Sequence, residues 1–176
     1  YDDMMHIIYS QNIEVENSKF LNAFGDSIDV DISKNISFKN IKINNSGNDG
    51  IDFMESTATL ESVNITSSGD KAVSVGENSN ISINNSNFKS NKYGIASKDL
   101  SVALINNSTF ENNEIQLSAY KKNWRYGSSG SIKVKNSEIF SNKNVIISDK
   151  LGEILILSSN IVGEIEKNKN VKIINN

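Results

Sequence analysis

The sequence predicts an all-β fold, a single-stranded parallel β-helix of about seven rungs with three short strands in each. Short runs of alternating apolar residues end in Asn or Ser, and most of these end points are 22 or 23 residues apart. Two further strand-like runs lie in each interval. A unit this short, with no helical half, fits neither a propeller blade nor a helical repeat. The end points are Asn17, Asn40, Ser62, Asn85, Asn107, Asn136, Ser158 and Asn175.

The first strand of each unit opens directly after a bend, as in the run from Ile28 to Asp31. Alternating apolar and polar residues over so short a run are typical of a half-buried strand. The predicted inward column is Met5, Ile28, Ile51, Ala72, Ile95, Leu117 and Ile146. The two outward columns are predicted as His6, Asp29, Asp52, Val73, Ala96 and Ser118, and as Ile8, Asp31, Met54, Val75, Lys98 and Tyr120.

The second and third strands follow in the same order in each unit. The second strand carries inward pairs such as Ile36 and Phe38. The third strand comes directly after the Asn or Ser and supplies another apolar column: Phe20, Ile43, Ile65, Phe88, Phe110, Ile139 and Ile161. The pattern therefore predicts one core lined from three sides, in a single domain covering residues 1–176.

The recurring Asn residues explain the unusual composition, which includes 28 Asn, 27 Ser and 25 Ile with no Pro. Asn tolerates the left-handed backbone conformation that tight bends need. When one bend recurs on every rung, its side-chain amides can bond along the stack, so we expect an Asn ladder at the end points above. Pro would remove a hydrogen-bond donor from such a stack.

One unit is longer than the others and carries a loop insertion, predicted at residues 120–131 (hereafter the insertion). The chain starts at Tyr1 without Met, and both terminal rungs lack polar caps. Repeat proteins need such caps for solubility. We therefore expect a piece of a longer chain, with the rest of that chain or other subunits covering the open ends.

Several function classes are excluded by composition. The absence of Cys excludes thiol catalysis and iron–sulfur clusters, and the single His excludes a multi-histidine zinc site. A net charge of −3 offers no basic field for nucleic acid. No apolar run approaches 18 residues, so no membrane span is expected.

An Asp-rich stack is the sharpest candidate site. Four residues should form one column where the first strands begin: Asp3, Asp26, Asp49 and Asp70. Asp29, Asp31 and Asp52 should project from the same face. Stacked carboxylates repel one another. A cation would relieve that repulsion, and all-oxygen ligands suit Ca²⁺. The alternative is that the Asp residues at the strand starts cap the bend by accepting backbone N–H bonds, and that the others form a solvated face.

The repeat pattern of the whole chain resembles the right-handed parallel β-helix proteins of the pectate-lyase-like superfold. The resemblance is carried by residues 25–33, 47–55, 69–77, 93–101 and 118–123. That superfold includes polysaccharide lyases, uronate C5-epimerases, glycosidases, phage tailspikes and adhesins, so fold alone does not fix function. The resemblance implies an extracellular, periplasmic or cell-surface protein.

Some pectate lyases of this superfold combine Ca²⁺ with a basic residue. On that resemblance, Asp26, Asp29, Asp49 and Asp52 would hold Ca²⁺, and Lys71 would remove the C5 proton of an acidic sugar. The neighbouring Asp70 should instead raise the pKa of Lys71, whereas a base at this position needs a lowered pKa. His6 is a second candidate acid or base, although a lone His is usually an ordinary surface side chain.

A cationic and aromatic group follows on the same face: Lys98, Tyr120, Lys121, Lys122, Trp124 and Arg125. Together with Asp31, these residues would bind an acidic polysaccharide, because aromatic and cationic groups suit sugar rings bearing carboxylates. The alternative for Trp124 is that it packs the insertion onto the helix. Two functions remain open: a polysaccharide-binding β-helix, whose catalytic form would be a Ca²⁺-dependent lyase or epimerase, and a non-catalytic adhesin, stalk or tail-fibre module.

Overall fold

The computed structural model describes residues 2–174 and forms a parallel β-helix, which confirms the predicted fold class. The first three rungs contain β1 (Met5–Ile8), β2 (Glu14–Glu16), β3 (Lys19–Ala23), β4 (Ile28–Asp31), β5 (Ile36–Lys39), β6 (Lys42–Ser46), β7 (Ile51–Met54), β8 (Thr57–Glu61) and β9 (Asn64–Thr66). Rungs 4 and 5 contain β10 (Lys71–Gly76), β11 (Asn80–Asn84), β12 (Asn87–Lys89), β13 (Tyr93–Lys98), β14 (Val102–Asn106) and β15 (Thr109–Glu111). The later rungs contain β16 (Ile115–Tyr120), β17 (Ser131–Lys135), β18 (Glu138–Ser148), β19 (Glu153–Leu157), β20 (Asn160–Lys167) and β21 (Val171–Ile174).

The strands stack into three faces, and every paired neighbour is parallel. The first-strand face consists of β1, β4, β7, β10, β13, β16 and the end of β18. The second face runs from β2 to β21, and the third face runs from β3 to the start of β18 and β20. β18 continues unbroken around one bend and so belongs to two faces. None of the described segments forms a helix that is long and apolar enough to cross a membrane.

The core is a stack of side chains that point inward from all three faces. Ile28, Ile51 and Ile95 are completely buried on the first-strand face, as the alternation predicts. Aromatic rings extend the stack, with the ring centroids of Phe88 and Phe110 separated by 5.2 Å. Each fully buried side chain of this size contributes roughly 1.5–3 kcal/mol.

The fourth rung differs from the predicted register by one residue. Val73, not Ala72, pairs with Ile51 and lies in the inward column. The outward positions are therefore held by Ser74 and Gly76, where Val73 and Val75 were expected. The prediction that Asp70 is aligned with Asp49 was wrong. Lys71 holds that position, because the Lys71 backbone N–H donates to Asp49 Oδ1 (2.8 Å).

The predicted bend positions have the expected backbone conformation. From Asn17 to Ser158 all seven have φ between 45° and 56°, and Asn175 lies outside the described residues. The predicted amide ladder forms only at its start among the described residues, where Asn40 Nδ2 donates to Asn17 Oδ1 (2.6 Å). Ser62 replaces the amide on the next rung, and Asn85 Nδ2 donates to Glu61 Oε1 (2.7 Å) instead. Two other bends carry matching amide pairs that the sequence reasoning missed: Asn35 with Asn12 and Asn45 with Asn22.

Candidate functional site

The Asp residues at the start of the first strands form a side-chain ladder. Asp3 Oδ1 accepts the Asp26 N–H (2.9 Å), and Asp26 Oδ1 accepts the Asp49 N–H (2.7 Å). Asp49 Oδ1 accepts the Lys71 N–H in the same way. These carboxylates therefore hold the bend between the third and first faces. This agrees with the alternative interpretation that the Asp residues at the strand starts cap the bend by accepting backbone N–H bonds.

Asp26, Asp49 and Asp52 also form a carboxylate cluster in which each contributes one oxygen within 4.8 Å of the others. Burial raises the pKa of Asp26, against hydrogen bonds that lower it. Burial raises the pKa of Asp49 to about 6; Lys71 opposes this shift and Asp52 adds to it. Among the described residues, the buried Asp52 Oδ1 has no hydrogen-bond partner. The cluster therefore sets three carboxylates against two nearby ammonium groups, Lys71 at 3.5 Å from Asp49 Oδ1 and Lys98 at 3.9 Å from Asp52 Oδ1.

Asp29 does not join that cluster and instead faces His6 and Asp31. His6 Nε2 lies 3.0 Å from Asp31 Oδ2 and 3.5 Å from Asp29 Oδ2. Burial raises the pKa of Asp29 to about 7, and the Asp31 charge adds to the shift while His6 opposes it. The four carboxylates proposed as one calcium site are thus divided between two neighbouring groups.

The raised pKa of Asp29 predicts an unusual pH dependence of stability. The folded state holds this proton more tightly than the unfolded chain, whose Asp pKa is near 3.8, so stability falls as pH rises from about 4 to about 7. Asp29→Asn should remove this cost and raise the melting temperature by several degrees at pH 8, for a gain of about 1–3 kcal/mol.

The gain should shrink toward zero below about pH 4, where Asp29 is protonated in both states. Thermal melts of the wild type and Asp29→Asn between pH 4 and pH 8 measure it. Glu16→Gln, at an exposed surface pair, is the matched control and should show little pH-dependent gain. An Asp29→Asn variant that is less stable than the wild type at pH 8 would contradict the assignment.

Lys71 is the most strongly held cation of the first-strand face. Its buried ammonium bonds to Asp70 Oδ2 and lies 3.5 Å from Asp49 Oδ1. Burial alone would lower the pKa of Lys71, but the two carboxylates raise it above its ordinary value. The Lys71 Nζ also lies 5.9 Å from the centre of the Tyr93 ring, in the range of a cation–π contact. Lys71 is therefore an ammonium at neutral pH.

Two tyrosines accompany Lys71 at one end of an open cleft. Tyr93 and Tyr120 line a cleft of about 580 Å³ together with Ser118, Ala119, Ile147, Ser148, Asp149 and Asn168. Burial raises the pKa of the Tyr120 phenol to about 12, although the neighbouring Lys71 charge opposes the shift. The sequence reasoning named Tyr120 but not Tyr93. The correct register of the fourth rung would have found it, because Tyr93 pairs with Lys71.

The outward column beneath these side chains is made of small residues. Ser74, Ala96 and Ser118 follow one another on β10, β13 and β16. Ser74 and Ala96 are completely buried, although they point away from the core. Among the described residues, Ser74 Oγ has no hydrogen-bond partner. These small outward-facing residues are therefore covered by longer side chains from the neighbouring columns.

Lys98 and His6 contact carboxylates other than the two that hold Lys71. Lys98 is only 2% exposed and extends past Gly76 toward Asp52, with 3.9 Å between Nζ and Oδ1. A Cβ at Gly76 would approach the Lys98 Nζ to 3.2 Å, so a side chain there would move the end of Lys98 by a few tenths of an ångström. His6 lies on the first rung, three rungs or about 14 Å from Lys71 at the usual strand spacing.

The insertion borders the first-strand face, and its flanking residues Tyr120 and Ser131 are the end of β16 and the start of β17. Trp124 is 83% exposed and therefore does not pack the insertion onto the helix. The remaining predicted residues, Lys121, Lys122 and Arg125, belong to the same segment.

Comparison with known proteins supports the architecture. A family model described as "right handed beta helix region" matches residues 2–125. The crystal structure of an alginate lyase from Paenibacillus sp. strain FPU-7 is similar, with a TM-score of 0.70 and 10% identity over 97% of this chain and 76% of that one. PfbA, a surface adhesin of Streptococcus pneumoniae, gives a TM-score of 0.48 with 13% identity, over 96% of this chain and 62% of that one. No curated protein matches the sequence. At these identities the likeness to solved structures concerns the fold.

Proposed function

The chain belongs to the right-handed β-helix family, and we propose that its first-strand face binds a polyuronate and acts on it by β-elimination or C5-epimerisation. The observation that carries this proposal is the group formed by Lys71, Tyr93 and Tyr120 beside an open cleft. The similarity of the fold to an alginate lyase agrees with the substrate class.

Both reactions begin with removal of the proton at C5 of a uronate, next to its carboxylate. Negative charge then develops on that carboxylate, and a fixed cation stabilises it. Lys71 is the candidate for this charge, because its neighbours keep it protonated. The Tyr120 phenol is also protonated at neutral pH and can donate a proton.

In β-elimination the C5–H bond and the C4–O4 bond break, a double bond forms between C4 and C5, and O4 takes up a proton. In epimerisation a proton returns to C5 from the opposite side. We propose that Tyr120 supplies a proton and that Tyr93, acting as the phenolate, takes the proton from C5. Proton abstraction by Lys71 itself is the alternative, and it requires that Lys71 first lose its proton.

A calcium ion remains part of the proposal with a changed ligand set. Asp26, Asp49 and Asp52 fit a hard cation because their oxygens converge, and Asp52 Oδ1 is buried without a hydrogen bond in the described part of the chain. Asp29 lies in the separate His6 group. Bound calcium would neutralise the cluster and the uronate carboxylate, while the chain itself positions Lys71 beside Asp49.

Incubation with alginate and pectate tests the proposal. We expect unsaturated uronates, detected by ultraviolet absorbance, or a changed uronate composition, detected by NMR. Tyr120→Phe should lower the rate about 10²-fold or more, as loss of a general acid does. Tyr9→Phe, at an exposed residue, is the matched control and should leave the rate unchanged.

The two open functions give different results in this experiment. Polyuronate binding without any altered product would favour the non-catalytic binding module. Neither binding nor turnover, with and without calcium, would refute the proposal. A polysaccharide of this kind lies outside the cytoplasm. We therefore propose that the protein itself is extracellular, periplasmic or attached to the cell surface.

A further inference from the structure

The insertion is fixed to the β-helix at both of its ends. Asp99 is completely buried, and its Oδ1 accepts the backbone N–H groups of Lys122 (2.8 Å) and Asn123 (2.9 Å). Asp149 accepts the Lys121 N–H (2.7 Å) and the Ser129 hydroxyl (2.6 Å). Hydrogen bonds to charged acceptors are among the stronger ones in proteins. The insertion is therefore a structured segment of the surface.

The insertion also reaches back along the helix. The Tyr126 hydroxyl donates to Glu55 Oε1 (3.0 Å), a residue 71 positions earlier in the chain. Glu55 follows β7 on the third rung, whereas the insertion leaves β16 on the sixth. The segment thus spans three rungs, about 14 Å along the edge of the first-strand face.

The insertion combines positive charge with an exposed aromatic ring. The insertion contains three cations and no acidic residue, although the whole chain has a net charge of −3. Trp124, the single tryptophan, stands between the fixed ends with 83% of its surface exposed. A large exposed aromatic ring among cations is matched to a sugar ring that carries a carboxylate.

We propose that the insertion is a preformed side wall of the polyuronate groove, on which Trp124 stacks against a sugar ring away from the reacting one. This inference rests on the proposed function, because it assumes that the polymer lies along the first-strand face. Trp124 is then a residue that determines specificity for long chains. Asp99 is a positioning residue that holds the wall.

The single tryptophan gives a direct measurement. Titration of the wild type with alginate or pectate, followed by Trp fluorescence, should shift the emission as the ring is covered, and dextran, which has no carboxylates, should not. Calorimetry on the same samples reports binding independently. Polymer binding without a change in Trp emission would overturn the inference and leave the proposed function intact, whereas no binding at all would overturn both.

Variants separate the wall from the reacting group. Trp124→Ala should weaken binding of a long polyuronate about tenfold, or about 1.4 kcal/mol, and leave binding of a trisaccharide unchanged. Trp124→Phe should restore most of the affinity because it keeps a ring. Leu100→Ala, at an exposed apolar residue on the same edge, is the control for general surface effects. Equal losses for the long and short substrates would contradict the proposed role of Trp124 in chain length.

Discussion

Replacing Lys71 with Met should abolish turnover of the polyuronate and reduce the free energy of unfolding by about 3–5 kcal/mol at pH 8. Two ammonium groups, those of Lys71 and Lys92, lie 5.9 Å and 5.8 Å from the centre of the Tyr93 ring. The loss of activity follows from removal of the buried one, Lys71, since Lys92 is exposed. The loss of stability has a separate cause. Asp49 is only 2% exposed, and without the ammonium its buried charge has no partner of opposite sign within bonding distance among residues 2–174. Urea unfolding and a turnover assay measure the two effects.

The stability loss at Lys71→Met should depend on pH. The pKa of Asp49 is already raised to about 6 with Lys71 present, and removal of the opposing charge raises it further. Below that pKa Asp49 takes up a proton and no longer needs a partner. The cost should therefore decline as pH falls from 8 to 5. Lys39→Met, at an exposed lysine of β5, is the matched control and should cost less than about 1 kcal/mol.

Lys71→Arg distinguishes the two proposed roles of this residue. Arginine keeps the positive charge but does not release its proton in proteins. If Lys71 acts as a fixed charge, the folded arginine variant should retain about a tenth of the activity or more. The altered geometry of the arginine side chain should raise the activation free energy by no more than about 1.4 kcal/mol, which is a tenfold change in rate. A folded Lys71→Arg variant as inactive as Lys71→Met would show that Lys71 is the base.

The sequence predicted the fold well because its signal is repeated. Alternation and Asn spacing recur on every rung, so an error in one unit does not affect the others. The register of the fourth rung failed because its alignment depended on one Asp. Asp70 and Lys71 are adjacent, and only the hydrogen bond from the Lys71 N–H to Asp49 shows which of them continues the column.

The site could be predicted only in part, because the sequence does not show in which direction a long side chain extends. The sequence identified Lys71, Tyr120 and the insertion, which were named from charge and aromatic content. It did not reveal that Lys98 extends across Gly76 and becomes buried. The path of a long side chain depends on the size of its neighbours on adjacent rungs, and the period of the repeat carries no information about that path.

The bends that position the site contain a second kind of ladder, which the composition did not reveal. Ser56 Oγ accepts the Ser33 N–H (3.0 Å), and Ser79 Oγ accepts the Ser56 N–H (3.0 Å). The same relation recurs at the next bend with Ser86 and Ser108. Much of the Ser content is therefore structural. The sequence does not distinguish a buried serine from a surface serine. The Ser residues of the ladder could therefore not be told apart from those of solvated loops.

Asn113→Ala should be the most destabilising single change among the bend residues. Asn113 is 2% exposed and uses its whole amide. Its Oδ1 accepts from Asn91 N–H (3.0 Å) and Nδ2 (2.9 Å), and its Nδ2 donates to Phe88 O (3.0 Å) and Gln116 Oε1 (2.7 Å). Alanine leaves these buried groups without partners, which we expect to cost about 3–5 kcal/mol in total.

Urea unfolding of Asn113→Ala measures this cost, with Asn87→Ala as the matched control. Asn87 is exposed and its amide makes one surface bond, to Asn64 Oδ1 (2.7 Å), so its loss should stay below about 1 kcal/mol. Asn113 also lies two residues before β16, the strand that ends at Tyr120. The Asn113 variant should therefore lose polyuronate turnover at urea concentrations where most of its β-structure persists. Equal losses of stability in the two variants would show that the buried amide stack does not hold this bend.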